Sequence, residues 1–241
     1  LDIVRWNTSR YSLGGKATAV TGGTICVCGP KGVLDWSQAL DVILKERLPG
    51  ELVDHIDFSD PDYADIMSRT TETSRIYEGV PLASLANSVR GDILQQVVRR
   101  FDEVRYGSRG AVLHEWPGYS HSGRRLGSHQ QPCDWVRDDG RRVEVKSSQL
   151  QWTGKIWRFY FYGLKRDLFD DCRLVLYSPR GLHIVDWNGL KWSQHGKCTP
   201  HNGGCVVLYG PTGYPWKDAL DVIVAQKIPG RIVAVMPWLS S

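Results

Sequence analysis

The chain has 241 residues, with Lys+Arg 30 against Asp+Glu 26 and a formal charge of +4. Hydrophobic residues make up 41% and charged residues 23%, which excludes a disordered charged tail and predicts a folded chain of one or two domains. No apolar run reaches the roughly 18 residues of a membrane span, no secretory leader pattern opens the chain, and six Cys without framework spacing predict reduced thiols in an intracellular (cytoplasmic or nuclear) setting.

The opening segment recurs. Residues 1–53 align with 182–233 across a single one-residue gap, with 23 identities in 52 aligned pairs. Ile3, Val4 and Trp6 match Ile184, Val185 and Trp187 in a short strand. Gly22-Gly23 match Gly203-Gly204 before a second strand, Ile25 to Val27 against Val206 to Leu208. The turn Gly29-Pro30-x-Gly32 matches Gly210-Pro211-x-Gly213. Trp36 and Trp216 then open a helix through Ala39–Ile43 and Ala219–Ile223. Pro49-Gly50 and Pro229-Gly230 stop it before a last strand. Each copy, 1–53 and 182–241, is therefore predicted to be a small ββαβ module, its paired Trp residues serving as core.

Residues 54–81 read as an acidic linker. Across 54–86 the seven carboxylates Asp54, Asp57, Asp60, Asp62, Asp65, Glu72 and Glu78 face only Arg69 and Arg75, a net of −5. The run from Thr70 to Ser74 has linker composition.

A second domain is expected over 82–181. Leu85, Val89, Ile93, Val97, Phe101 and Val104 recur at helical spacing and predict one apolar face of a long helix ending near Tyr106-Gly107. A strand, Ala111 to Leu113, and a polar Gly/Ser-rich loop follow. The segment from Cys133 to Ser148 has the composition of a hairpin turning at Asp138-Asp139-Gly140. Residues i and i+2 of a strand share a face, so Glu144 and Lys146 point together while Val143 and Val145 point away. Asp134 joins them only if it pairs with Glu144, which needs a three-residue loop with Gly140 in the left-handed conformation. The three side chains are then predicted to converge. Oxygen ligands from Asp134 and Glu144, with the Val145 carbonyl and waters, suit Mg²⁺ or Mn²⁺, and Lys146 could act on the attacking water or the phosphate.

Asp134, the hairpin and Glu144-Val145-Lys146 resemble the signature of the PD-(D/E)XK, or restriction-endonuclease-like, nuclease superfamily. The resemblance spans roughly residues 82–187, including the upstream helix and the strand Cys172 to Tyr177, and leaves both flanking modules outside it. It implies an α/β (α+β mixed) restriction-endonuclease-like core with a central mixed sheet. It makes Asp134 and Glu144 the metal ligands and Lys146 the catalytic lysine of a Mg²⁺-dependent endonuclease. Cys133 stands between Pro132 and Asp134, a departure from the family pattern. Many relatives place an acidic residue on the first helix, where Asp92 is the best candidate here, with Glu103 behind it.

Residues 90–165 carry 14 basic and eight acidic residues, a net of +6, the footprint expected for phosphate contact and for a nucleic-acid partner, DNA before RNA. His121, Arg124, Arg125 and His129 in the polar loop are candidate nucleic-acid contacts, and Gln149 another if its strand continues. The run Trp157–Tyr162 is expected to be a central strand rather than a base-stacking platform. A competing zinc reading of His195, Cys198, His201 and Cys205 is weakened by the other copy, which has Gly14, Ala17, Val20 and Thr24 there. The alternatives are an RNA endonuclease, a non-cleaving nucleic-acid-binding or assembly protein with a vestigial site, and a purely structural unit. Because the chain opens without Met, on the equivalent of the central domain's last strand, it is expected to come from a longer array, with neighbouring repeat units or a homo-oligomer as partners.

Overall fold

The computed structural model describes residues 1–12, 22–33, 35–57, 60–61, 71–107, 113–115, 132–194 and 203–238. They fall into two compact units, Leu1–Arg69 and Thr70–Ser241. In the first, β1 (Asp2–Trp6) pairs antiparallel with β4 (Gly50–His55), with a register shift between Ile3 and Val4. A short ribbon joins β2 (Tyr11–Ser12) to β3 (Thr24–Ile25). Helix α1 (Trp36–Val42) starts where the Asp35 carboxylate accepts the Gln38 N–H at 2.9 Å, and runs on into a π-helical turn, Ile43–Arg47. Gly50 then enters β4 at φ +157°, where a Cβ would lie 2.0 Å from the Arg5 carbonyl oxygen. Only glycine fits that approach.

The second unit is mixed α/β around a mixed sheet. Its helices are α2 (Glu72–Ile76), α3 (Asn87–Gly107) and α4 (Trp216–Val222). Its strands are β5 (Leu113–Glu115), β6 (Trp135–Arg137), β7 (Arg142–Gln149), β8 (Gln151–Trp152), β9 (Ile156–Leu164), β10 (Asp171–Ser178), β11 (Gly181–Trp187), β12 (Trp192–Ser193), β13 (Gly204–Thr212) and β14 (Gly230–Pro237). Six strands run in the order β14-β11-β10-β7-β6-β5 and four in the order β12-β13-β9-β8. The pair β7–β10 is parallel, from Val143↔Asp171 to Gln149↔Tyr177. A parallel pair needs a crossover, ordinarily a helix. Here the β8–β9 hairpin makes it and seeds the second sheet. Strand β9 carries the predicted aromatic run as a central strand, with Trp157, Phe159 and Phe161 buried.

The second copy of the repeat folds as the first does, down to the register shift between Ile184 and Val185 in the β11–β14 pair. It is not a separate body. Strand β11 pairs with β10 and β13 with β9, so the expected boundary at 181 runs through both sheets. Three strands and a helix bury too little apolar surface alone, and the module completes its core on the central stretch.

Two further expectations are corrected. The run from Thr70 to Ser74 is not all linker: Thr71 caps α2, its hydroxyl accepting the Ser74 N–H at 3.0 Å, and Tyr77 beyond it is buried. The Tyr77 hydroxyl donates to the Tyr177 carbonyl (2.7 Å) and accepts from Leu150 N–H (3.1 Å). Helix α3 exists, but its buried stripe is Arg90, Leu94, Val98 and Asp102, while Val89 and Val104 are exposed. The sheet beneath it explains the rotation. Arg90 donates to Gln149 at 2.9 Å and lies over the Tyr177 ring, and Asp102 meets Arg173 at 3.4 Å and Arg137 at 3.7 Å. Among the described residues no helix is long and apolar enough to cross a membrane.

Candidate active site

The hairpin between β6 and β7 has the predicted register. Trp135 faces Val143 and Val136 faces Arg142, which leaves Asp138-Asp139-Gly140 as a three-residue loop. Gly140 sits at φ +80° and its N–H donates to the Arg137 carbonyl at 2.9 Å. One step further along, Asp134 stands beside Glu144. Its Oδ2 accepts the Val145 N–H at 2.6 Å, which fixes the carboxylate over the strand. Lys146 Nζ donates to Glu144 Oε1. Asp134, Glu144 and Lys146 are thus brought together.

The parallel partner supplies the floor. Paired residues of β7 and β10 share a face, which sets Cys172 beside Glu144 and Leu174 beside Lys146. Two residues on, the Ser148 hydroxyl accepts the Tyr160 N–H at 2.8 Å, and the second sheet closes over that end of the strand. The Glu144 side chain keeps only 12% of its surface exposed and Lys146 29%.

This partial dryness sets the electrostatics. Burial pushes the Glu144 carboxyl up to about 7; the Lys146 ammonium pulls it back and Asp134 pushes it further. Burial also raises Asp134, against the Val145 N–H and Lys146. Burial works against the Lys146 charge, but Glu144 more than offsets it and the ammonium is held above its ordinary range. The Cys133 thiol beside them is pushed up to about 12 by burial and by the two carboxylates. Cys172 and Lys165, both within electrostatic reach of Glu144, were not legible as neighbours. Only the β7–β10 register reveals Cys172.

Other expected site residues lie elsewhere. Gln149 is in β7, but three residues from Lys146 is an odd spacing, so its side chain is on the opposite face, bonded to Arg90. There it helps line an 850 Å³ cavity with Tyr77, Asn87 and Arg90. Asp92 is exposed on α3, which covers that same opposite face, and Glu103 is engaged by Arg99 and Arg100. Among the described residues no group of three or more His, Cys, Asp or Glu is gathered as a metal would need, so Asp134 and Glu144 stand as a pair. His121, Arg124, Arg125 and His129 lie outside the described residues, as do His195, Cys198 and His201 of the zinc reading. Cys205 is buried in β13, with Ser193 Oγ 3.6 Å from its sulfur.

Part of the basic excess is used internally. Arg137 and Arg141 both bind Asp171 at 2.6 Å, and Arg142 binds Asp170 at 3.0 Å. No protein-family model, curated protein or solved structure matches the chain.

Proposed function

We propose that this chain is a metal-dependent nuclease that hydrolyses phosphodiester bonds, those of DNA before RNA. The observation that carries the reading is the convergence of two shielded carboxylates and a lysine on one strand face, over an apolar and thiol floor. Such a group costs stability without a cation. The donors suit Mg²⁺ or Mn²⁺: both are hard oxygens, and burial raises both carboxyls in a way that a divalent charge would reverse. Asp134, Glu144 and the Val145 carbonyl would hold the ion, which when bound supplies charge neutralisation and a more acidic water. Asp134 is pre-oriented by the Val145 N–H. Lys146, kept protonated by Glu144, would stabilise charge developing on the phosphate or orient the attacking water. The floor of Cys172 and Leu174 keeps bulk water from these charges and strengthens each of them.

One observation favours a second reading, a non-cleaving nucleic-acid-binding or assembly protein: the Lys146 ammonium is closed onto Glu144. Incubating the full chain with single- and double-stranded DNA and RNA, in Mg²⁺ or Mn²⁺ and then in EDTA, separates the two. Cleavage abolished by EDTA and by Lys146→Ala, with binding retained, is the expected result. If wild type cuts no polymer while wild type and Lys146→Ala bind equally, the enzymatic reading falls and the second stands.

A further inference from the structure

The two copies of the repeat share sequence, bulge and strand order, yet they are covered differently. Strand β11 lies between β14 and β10, whereas its counterpart β1 pairs with β4 alone among the described residues. Strand β13 runs from Gly204 to Thr212 between β12 and β9, whereas its counterpart β3 is two residues long and pairs with β2 alone among them. The apolar side chains follow the strands. Ile184, Val206 and Leu220 are 0–1% exposed in the second copy, while Ile3, Ile25 and Leu40 at the same positions are 38–39% exposed. Trp36, the counterpart of the half-buried Trp216, is 77% exposed.

The second copy also shows what chemistry the cover has. The turn from β10 to β11 carries Arg180, whose guanidinium binds the Asp221 carboxylate (Nη2 to Oδ2, 3.3 Å) and lies 5.9 Å from the Trp216 ring centre. Asp41 and Trp36 are the counterparts of that pair, and both are exposed. The first copy thus keeps the apolar face, two strand edges that are open among the described residues, and the acceptor for an arginine. Exposed apolar side chains whose counterparts are buried under a cover mark an interaction site, and open edges accept added strands.

We propose that this face docks the central segment of another repeat unit. The partner is a polypeptide that presents an apolar strand of the β10 kind to β1, an aromatic strand of the β9 kind to β3, and an arginine of the Arg180 kind to Asp41 and Trp36. The inference stands apart from the nuclease reading, since none of these residues belongs to the candidate site.

The test is a chain extended by an additional copy of residues 70–181 placed directly before Leu1, reproducing the Gly181–Leu182 linkage. Amide hydrogen exchange of the extended chain is compared with that of the original. Exchange of residues 2–6 and 24–30 is expected to slow by at least about tenfold, as β1 gains a second neighbour and β3 lengthens toward the span of β13. Asp41→Arg should remove that protection, and Arg180→Glu in the added copy should restore it. Unchanged exchange at 2–6 and 24–30 overturns the proposal whether or not the added segment folds, because the second copy stabilises an identical segment. Concentration-dependent protection of β1 in the original chain, with a dimer mass in sedimentation, would make a second copy of the chain the occupant and overturn it as well.

Discussion

Lys146 and Tyr77 show how much single side chains carry here. Lys146→Ala removes the ammonium that contacts Glu144 Oε1, and on the proposed nuclease reading turnover is expected to fall by about 10²–10⁴-fold with nucleic-acid affinity retained, the range for losing a positioned proton-transfer or electrostatic group. Single-turnover cleavage and filter binding, run side by side, check it. Tyr77→Phe deletes a hydroxyl that ties the Tyr177 carbonyl to the Leu150 N–H in a buried setting. The Leu150 N–H also donates directly to the Tyr177 carbonyl at 3.0 Å, so neither backbone group is left unpaired, and a loss of about 0.5–1.5 kcal/mol is expected in urea denaturation. Tyr77 lies in what composition marks as linker. Its only sequence signal is the Thr71 cap just before it, because its burial comes from Tyr177, a hundred residues away and stacked on it with ring centroids 5.0 Å apart.

At the scale of the element, glycines with positive φ differ in what surrounds them. Gly140→Ala meets open space, so only the left-handed backbone is strained, at about 1–2 kcal/mol. Gly230→Ala would put its Cβ 2.0 Å from the Asp186 carbonyl oxygen and should cost clearly more, which thermal melts of the two variants would rank. The hairpin is also tied down by charge. The Arg142 guanidinium bonded to Asp170 holds that carboxyl down at about 2. A depressed carboxyl contributes stability that is present above its unfolded value and lost as pH falls through the folded one. The stability gap between wild type and Asp170→Asn is therefore expected at neutral pH and should close as pH falls from about 4 to about 2. Denaturation of both proteins across that range measures it. The hairpin could be read from sequence because parity and turn chemistry are local to Asp134–Lys146. The orientation of α3 could not. Its buried Arg90 and Asp102 are explained only by Gln149 and Arg173, which the parallel pairing sets beneath them.

For the molecule as a whole, the division into modules was half legible. The duplication is plain in the sequence and both copies fold alike, but nothing local reveals that the second shares two sheets with the centre. A buried ionic network joins these parts: Arg173 reaches from β10 to Asp102 on α3, to Tyr106 at 2.8 Å and to Asp186 on β11. Asp102→Ala leaves Arg173 and Arg137 short of a buried counter-charge and is expected to cost about 3–5 kcal/mol. Asp102→Ala with Arg173→Met should recover part of it, as a double-mutant cycle in chemical denaturation would show.

The crossover by a β-hairpin bears on the order of assembly. Every β7–β10 pair closes a loop that contains β8 and β9 entire, and such closures are entropically slow. The β8–β9 and β10–β11 hairpins close short loops and form without that delay. Folding of the second unit is thus expected to wait on the parallel seam. Substitutions at Val175 or Val145 should slow refolding, and so should those at Trp152 or Leu182, which lie in hairpins already closed when the seam forms. On that schedule Glu144 meets Cys172, and the candidate site gains its floor, in the last committed step.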